Sequence, residues 1–419
     1  MNARWKKHIG VLAACATVTI IPNQVSASGF ALIEQSVSGL GNAYAGGAAI
    51  AEDASTVFFN PAGMTRLGDS ELVGALHYIN PSTKFKDSGA SSETGGDGGE
   101  AGDGALVPNV YYVSDMGNNL VFGLGVNAPF GLSTEYDPDW KGRYHGIKSE
   151  VQTLNINPSI AYKVDDSLSL GAGISIQQLT AELSNANFTP LGDVLSTIEA
   201  DGIGYGFNAG ALWKIGPDSR LGISYRSKIA YTLEGDVKFT NVPAPALPSF
   251  PNGNVEADID LPASLSLSAV HEMNPNWTIM GDISWTQWSV LDQLVIKFDK
   301  GLPASTSTEV YNWDDTLRYS IGASYRRSDT LVLRGGLAFD ETPIQSETER
   351  GVRVPGNDRT WISLGVGIRP AGGPAIDIGY AHLIVDDADI NNTDSLGHQI
   401  VGTYEASVDI LSVQGSWKF

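Results

Sequence analysis

Residues 28–67 read SGFALIEQSVSGLGNAYAGGAAIAEDASTVFFNPAGMTRL. This stretch is rich in Gly and Ala, contains a single basic residue, and has no regular strand pattern. It stands between an export signal and a long series of strand patterns. A soluble domain has little use for such a segment, whereas a barrel with a hole through it needs something compact to fill or gate the hole. We therefore predict an N-terminal plug over residues 28–69 and a barrel over residues 70–419.

Residues 1–27 have the parts of a secretion signal. Three basic residues open the chain, Ile9–Ile21 is mostly apolar, and small residues precede a cleavage point after Ala27. The surroundings of Cys15 have the form of a lipoprotein processing site, but cleavage there leaves too short an apolar core. Cleavage after Ala27 removes the only cysteine of the sequence, so the mature chain cannot form disulfides.

From residue 70 onward, apolar and polar residues alternate repeatedly with the period of two that is typical of strands. No later segment has the 18 or more apolar residues of a membrane helix, so a membrane form must be a closed barrel. Short turns alternate with seven longer loops, as in outer-membrane barrels. The longer loops lie around residues 84–106, 131–149, 185–203, 240–254, 299–312, 343–358 and 389–403. We predict an all-β fold, a transmembrane antiparallel β-barrel of about 14 strands with the plug inside its lumen.

Aromatic residues fit this prediction. Six tryptophans are candidates for the girdles that flank the lipid-facing band of such barrels. They are Trp277, Trp285, Trp288, Trp313, Trp361 and Trp417. The last strand ends on Phe419, which resembles the C-terminal signal that the barrel-assembly machinery recognises. These features predict a location in the bacterial outer membrane.

The plug sequence also carries a resemblance. GLGNAYAGGAAIAEDASTVFFNPAGM, residues 39–64, closely resembles the N-terminal plug of the long-chain fatty-acid transporter (FadL) family of outer-membrane proteins. Asn60, Pro61 and Ala62 match the plug motif of that family, and Phe30 falls where the family's plug reaches into the ligand pocket. The resemblance implies passive uptake of long-chain fatty acids or similar hydrophobic molecules, with Asn60-Pro61-Ala62 as the anchor of the gate.

The third strand is interrupted at Ala128–Gly131. Pro lacks the N–H that a strand ladder needs, and Gly permits a bulge. One interpretation is that the strand simply ends at a loop. In the resembling family, a kink in the corresponding strand opens a gap through which substrate leaves sideways into the lipid. The resemblance assigns that gap to Pro129, Phe130 and Gly131.

Two long loops carry apolar residues. The spacing of Leu191, Val194, Leu195 and Ile198 predicts one apolar helical face, and the next loop places Leu247 and Phe250 among prolines. Such loops can pack on each other and cap the lumen. They can also form a landing site for a hydrophobic substrate, because exposed apolar patches commonly mark binding sites. The two interpretations are compatible.

Alternation predicts that Arg226, Lys228, Arg318 and Arg334 point into the lumen. All four could pair with a fatty-acid carboxylate, because an unpaired buried charge is costly, and we take the first three as candidate substrate-binding residues. Membership of an ordinary lumen charge network is the competing interpretation. At the positions where the resembling family leads us to look for a basic partner, the chain has Gln177, Gln178 and Asp314. Uptake of an uncharged substrate, such as an aromatic hydrocarbon or an alkane, is therefore an alternative.

The sequence shows no sign of enzyme chemistry. It contains no nucleotide-binding loop, nucleophile elbow or paired-histidine metal motif, so we expect neither a cofactor nor a metal. The formal net charge of −21 argues against a nucleic-acid partner. We expect a monomer in contact with outer-membrane lipid, with a flexible acidic loop over residues 87–103 that can bind calcium only loosely. The alternatives from another class are a general porin and a surface adhesion barrel.

Overall fold

The computed structural model describes residues 29–299 and 305–419. The predicted signal sequence lies outside these residues. From residue 71 the chain consists mainly of strands. In chain order they are β1 (Glu71–Asp87), β2 (Ala105–Gly117), β3 (Leu120–Asn127), β4 (Gly131–Glu135), β5 (Lys148–Lys163), β6 (Leu168–Asn187), β7 (Val194–Lys214), β8 (Ser219–Arg226), β9 (Ile229–Thr240), β10 (Gly253–Leu261), β11 (Ser264–Glu272), β12 (Trp277–Thr286), β13 (Gln293–Phe298), β14 (Thr306–Val310), β15 (Thr316–Ser328), β16 (Leu331–Asp340), β17 (Arg359–Ile368), β18 (Ala375–Val385), β19 (Ala388–Thr393) and β20 (Gln399–Lys418).

Neighbouring strands pair in antiparallel fashion around a closed ring. The ring closes where β20 pairs with β1 along the whole of Glu71–Asp87. In the described part of the chain, these segments form 14 spanning strands, because six of the strands are divided in two by short interruptions. The predicted barrel is confirmed. Over residues 29–299 and 305–419, no helix has the length and apolar character needed to cross a bilayer.

The connections at the two ends of the barrel differ in length. One end has tight turns such as Asn118–Asn119, and the other has long loops such as residues 341–358. The predicted loop over residues 185–203 is wrong in extent, since only residues 188–193 lie outside strands. The reason is that β6 and β7 are 20 and 21 residues long and stay paired up to Asn187 and Val194.

The apolar side chains of β6 change faces part-way along the strand. Leu170, Ile174 and Ile176 are exposed on the outer face, whereas Leu179 is buried inside the barrel. Successive side chains of a strand point to opposite faces, so the three-residue step from Ile176 to Leu179 makes the inner face apolar. The strand is thus apolar outside near the tight turns and apolar inside near the long loops.

The segment from residue 29 to residue 70 lies inside the barrel. It forms three single-turn helices, α1 (Val37–Leu40), α2 (Gly47–Ile50) and α3 (Thr56–Phe59), and the 3₁₀ helix Pro61–Arg66. Helix α1 contacts β17 and β18, α2 contacts β8 and β11, and the 3₁₀ helix contacts β5, β6 and β7. Helices this short are not stable alone. Contacts with the surrounding wall therefore hold this segment, which we call the plug.

Glycines on the inner face of the wall let the plug backbone approach closely. A Cβ atom at Gly222 would lie 2.0 Å from the carbonyl oxygen of Ala48, and one at Gly171 would lie 2.3 Å from the nitrogen of Ala62. A strand glycine often marks such an approach of another backbone. The small residues of the inner face therefore serve to pack the plug as well as to keep the lumen polar.

Candidate functional site

Asn60 ties the plug to itself and to the wall. Its side-chain Nδ2 donates to the carbonyl oxygens of Ala48 (2.6 Å) and of Ala211 on β7 (3.0 Å), and its Oδ1 accepts from the backbone N–H of Ala62 (3.0 Å). The side chain is fully buried. Pro61 follows at the first position of the 3₁₀ helix, where a missing N–H costs nothing. Asn60, Pro61 and Ala62 thus form one rigid turn against β7.

An ion-pair cluster, with Arg334 and Asp377 buried and Glu52 and Arg369 partly exposed, holds the other side of the plug. Arg334 on β16 pairs with Glu52 of the plug and, at 2.7 Å, with Asp377 on β18. Arg369 also pairs with Asp377, at 3.0 Å. Burial on its own raises the pKa of Glu52, but Arg334 and Arg369 together hold that pKa below its usual value. Glu52 is therefore charged and attaches the plug to β16 and to the turn between β17 and β18.

The wall is interrupted between β3 and β4. Both segments pair with β5, and residues 128–130 between them belong to neither. On the other side, β2 pairs with β3 from Val110 to Gly117. Among residues 29–299 and 305–419, no strand pairs with the second edge of β4. The strand ladder is thus open between β2 and β4, at the predicted position of Pro129, Phe130 and Gly131.

The first residues of the plug cover this interruption from inside. The backbone N–H of Leu32 donates to the carbonyl of Pro129 (2.8 Å), and the N–H of Gly131 donates to the carbonyl of Phe30 (2.9 Å). Gln35 adds a bond from its Nε2 to the carbonyl of Ala128 (2.9 Å). The segment Phe30–Leu32 therefore replaces part of the missing ladder.

Phe30 stands in a buried aromatic cluster. Its ring centroid lies 5.2 Å from that of Trp288, 6.0 Å from that of Phe130 and 6.1 Å from that of Trp313. Trp288 and Trp313 are themselves 5.2 Å apart. Gly29 precedes the cluster with φ +56°, and a Cβ there would lie 2.4 Å from the Trp288 ring. The cluster separates two cavities, one on each side of Phe30.

The first cavity, which we call the outer chamber, lies toward the long loops and has a volume of about 60 Å³. Its lining includes Phe30, Val151, Leu179, Ile198, Leu233 and Val354. The one cation of its lining is Arg353, which pairs with Glu309 at 3.0 Å and donates to the Ser149 hydroxyl at 2.9 Å. The outer chamber is thus an apolar space with its single charge already paired.

The second cavity, which we call the deep cavity, lies between the plug and the wall and has a volume of about 170 Å³. Pro129 and Phe130 of the interruption are part of its lining, as are Arg226 and Arg318. Arg226 donates to the carbonyl of Phe58 (3.0 Å) and stacks over the ring of that residue. Both apolar and charged groups therefore line this cavity.

Of the predicted substrate residues, Phe30 and Ile198 line the outer chamber, and Arg226 and Arg318 line the deep cavity. The predicted helical face is wrong, since Val194, Leu195 and Ile198 lie in β7. Alternation along that strand separates them: Ile198 faces the chamber, whereas Leu195 packs near Tyr144 and Ile147. Leu191 and Leu247 are exposed, and Phe250 packs on Phe239, so these three line neither cavity.

The prediction that Lys228 points into the lumen is wrong. Its ammonium group pairs with Asp260, and half of its side chain is exposed. The reason is an interruption at Ser227 and Lys228, between β8 and β9. Arg226 faces inward before it and Ile229 faces inward after it. The inward positions thus change from even to odd numbers, which turns Lys228 outward.

The girdle prediction holds for some tryptophans only. Trp277 and Trp417 are more than 40% exposed, as an interfacial position requires. Trp288, Trp313 and Trp361 are buried inside the barrel, where they contact Phe30 or line the deep cavity. Trp288 and Trp313 stand in strand interruptions, where alternation does not assign a face.

The apolar side chains of β6 change from the outer face to the inner face part-way along the strand. This change is visible in the sequence and could have predicted the outer chamber.

Glu34 is a further site residue that the sequence did not single out. It is 2% exposed, and its backbone carbonyl accepts from Asn109 on β2 at 2.7 Å. Burial raises the pKa of the Glu34 carboxyl to about 7, although its own backbone N–H and the charges of Arg318 and Arg359 act in the opposite direction. A carboxyl group that is about half protonated at pH 7 thus adjoins the segment that closes the wall.

Comparison with known proteins covers the plug and the barrel together. A family model for outer membrane protein transport proteins (OMPP1/FadL/TodX) matches residues 18–419. A 47 kDa outer membrane protein of Pasteurella multocida is 31% identical over 407 residues, which are 91% of this chain and 92% of the relative. The long-chain fatty acid transport protein of Escherichia coli is 28% identical over 409 residues, 88% of this chain and 90% of that protein.

The crystal structure of a Pseudomonas aeruginosa FadL homologue superimposes with a TM-score of 0.85 at 26% identity, over 93% of this chain and 99% of the other. The barrel and the relatives named outer membrane proteins agree on location in the outer membrane. The family consists of transporters and channels rather than enzymes. The chain therefore belongs to the OMPP1/FadL/TodX family of outer-membrane transport proteins.

Proposed function

We propose that this protein passively takes up long-chain fatty acids or related hydrophobic compounds and releases them sideways into the membrane. One observation carries the proposal: the segment Phe30–Leu32 both separates the outer chamber from the deep cavity and closes the interruption in the wall. A single displacement of this segment connects an apolar chamber to the lipid. No energy source is needed for such a path, because burial of the ligand drives each step.

Entry takes place at the end that carries the long loops. Leu191 and Leu247 expose more than half of their side chains there, as does Phe188 between β6 and β7. These residues offer a landing surface, and the outer chamber lies inside the same end of the barrel. Each square ångström of apolar ligand surface removed from water contributes about 25 cal/mol. A hydrophobic molecule therefore gains free energy by moving from the loops into the chamber.

Exit is lateral rather than axial. The ion pairs of Glu52 with Arg334 and Arg369 close the plug at the end with the tight turns. A water-insoluble ligand gains nothing from release into water at that end. The deep cavity reaches Pro129 and Phe130, where the strand ladder between β2 and β4 is open. Asn60, Pro61 and Ala62 keep the body of the plug fixed while Phe30–Leu32 moves.

A reversible cross-link tests this path. Ala31 and Phe130 form an antiparallel bridge, and the Cα separation of such pairs suits a disulfide. The single cysteine of the chain, Cys15, lies in the predicted signal sequence, so the predicted mature chain has no cysteine of its own. In cells that lack other transporters, the Ala31→Cys, Phe130→Cys double variant should lose uptake of labelled oleate when oxidised and recover it on reduction. The two single variants are the controls, and unchanged uptake by the oxidised double variant refutes the lateral path.

The alternatives are separated by two further measurements. A general porin requires an open aqueous lumen, so large single-channel conductance in planar bilayers would favour it. An uncharged hydrocarbon as the substrate would be favoured if labelled toluene or hexadecane enters cells that do not accumulate oleate. We expect a monomer, and light scattering of the detergent-solubilised protein tests that expectation.

A further inference from the structure

The side chain of Gln35 bonds to four groups around the interruption in the wall. Its Nε2 donates to the carbonyl oxygens of Leu32 and Ala128, at 2.9 Å each. Its Oε1 accepts from the hydroxyl of Tyr111 on β2 at 3.0 Å and from Nδ2 of Asn127 on β3 at 2.7 Å. Gln35 is 0% exposed. An amide side chain has two donor hydrogens and one acceptor oxygen with two lone pairs, so Gln35 uses its full capacity here.

The acceptor side of this amide is held at the place where the strand ladder opens. The pairing of β2 with β3 ends beside Tyr111 and Asn127. Asn127 is held in turn, because its Oδ1 accepts from Nδ2 of Asn155 on β5 at 2.9 Å. Two wall strands therefore fix the position of the Gln35 side chain.

The wall side of the interruption has its own attachment. The backbone N–H of Phe130 donates to the hydroxyl oxygen of Thr153 on β5 at 3.0 Å, and that hydroxyl donates to the Phe130 carbonyl at 2.7 Å. Both backbone groups of Phe130 are thus tied to β5. When the interruption opens, the wall therefore stays in place, and Phe30–Leu32, which we call the gate segment, moves.

Few hydrogen bonds hold the gate segment. In the part of the chain that the structure describes, they are two backbone bonds with the wall and the bond from Gln35 to the carbonyl of Leu32. The bond from Gln35 is the one among them that uses a side chain. Movement of the segment ends before Glu34, because the Glu34 carbonyl accepts from Nδ2 of Asn109 on β2 at 2.7 Å.

We propose that Gln35 is the positioning residue of the gate: its amide ties Leu32 to β2 and β3 and so sets how often the gate segment leaves the interruption. Opening breaks the bond to Leu32 and leaves the other three bonds of Gln35 intact. A buried carbonyl without a donor is costly, so loss of the amide raises the free energy of the closed position. The inference rests on the proposed lateral path and assigns its control to one side chain.

Residue-resolved hydrogen exchange of the mature protein in detergent tests this role. Gln35→Met keeps an unbranched side chain of similar length and removes the donors and the acceptor. The backbone N–H groups of Leu32 and Gly131 bridge the gate segment and the wall. We expect both to exchange about tenfold faster in this variant, equal to about 1.4 kcal/mol. Amides of the 3₁₀ helix Pro61–Arg66 should keep their rates, because the body of the plug does not move.

Gln414→Met is the matched control, because it removes the same kind of amide elsewhere in the lumen. Gln414 is 1% exposed and bonds to the body of the plug, accepting from the backbone N–H of Val37 at 2.9 Å and donating to Asp53 at 2.8 Å. This variant should speed exchange at Val37 and leave the rates of Leu32 and Gly131 unchanged.

A cross-link separates movement of the gate from general loosening of the plug. In the oxidised Ala31→Cys, Phe130→Cys variant the gate segment cannot leave the wall, so adding Gln35→Met should not speed exchange at Leu32 or Gly131. Heat-modifiable electrophoretic mobility verifies that each variant forms a barrel. If Gln35→Met does not form one, Gln35→Glu takes its place, since it keeps the acceptor oxygen and lacks the amide donors.

Unchanged exchange at Leu32 and Gly131 in Gln35→Met would overturn the inference. An equal acceleration in Gln414→Met, or one that persists in the cross-linked protein, would overturn it as well, because it would show a general loosening of the plug. If the oxidised cross-linked protein still takes up oleate, the lateral path fails and this inference fails with it. If the cross-link blocks uptake and Gln35→Met changes no exchange rate, only the role of Gln35 fails.

Discussion

Replacing Asn60 by Ala tests whether the turn at Asn60-Pro61-Ala62 holds the plug in the lumen. The substitution removes the acceptor of the Ala62 N–H and the donor to the buried carbonyl of Ala48. Loss of the helix cap costs about 1 kcal/mol, and a buried carbonyl left without its donor costs about 1–3 kcal/mol. The carbonyl of Ala211 loses a donor as well but belongs to the strand ladder, so its loss adds little. We expect docking of the plug to weaken by about 2–4 kcal/mol.

Hydrogen exchange measures this change directly. A loss of about 3 kcal/mol raises the population of undocked plug roughly a hundredfold, so amides of the 3₁₀ helix Pro61–Arg66 should exchange roughly a hundred times faster. Amides of the barrel strands should keep their rates. Asn60→Ser is the matched control, since its hydroxyl can still cap the helix while the amide donors are lost, and it should give a smaller effect. Unchanged plug protection in Asn60→Ala, with the barrel intact, would refute the reasoning.

Three further predictions concern the plug. The pKa of Glu34 is about 7 in the folded state and 4.5 when the residue is exposed. As the pH rises from 4.5 to 7, docking of the plug should therefore weaken by about 1.4 kcal/mol per pH unit. The hydrogen-exchange rates of the plug in Glu34→Gln should lack this pH dependence. Because Arg334 lowers the pKa of Glu52, the charged carboxylate stabilises plug docking above pH 4.5, and this stabilisation is lost as the pH falls below 4.5. Acid should therefore release the plug, and should do so less in Glu52→Gln. Gly222→Val should displace the plug at a cost of about 1–3 kcal/mol, measured as faster hydrogen exchange around Ala48. Gly74→Val is the control and should leave this exchange unchanged, because no atom lies within 4 Å of a Cβ at Gly74.

The position of Lys228 shows where prediction from alternation ends. The apolar residues keep odd numbers throughout β8 and β9, from Leu221 to Leu233. At Ser227 the backbone changes phase by one residue, and the same odd positions turn from the lipid to the chamber. A one-residue shift moves every side chain of a strand to the other face. The pattern in the sequence is the same on both sides of this shift, so the pattern cannot reveal it.

The prediction of a helical face in the loop around residue 191 is wrong for a different reason. Leu191, Val194, Leu195 and Ile198 have the spacing of a helical face, yet three of them lie in β7 because β6 offers a partner strand across the hairpin. The ladder between β6 and β7 satisfies their backbone groups over the whole length of both strands. A short run of apolar residues is compatible with either a helix or a strand. Here the neighbouring strand β6 decides in favour of a strand.

The sequence by itself determined the barrel, its number of strands, the unequal lengths of its connections and the presence of a plug, because alternation, turn residues and composition are local properties of the chain. Only the tertiary structure decided that Phe30 lies between two cavities, that Phe30–Leu32 closes the interruption at Pro129–Gly131, and that Gln35 meets Tyr111 and Asn127. Those contacts join residues up to about three hundred positions apart. Closure of the ring sets which strands face one another across the lumen, and no local pattern encodes it.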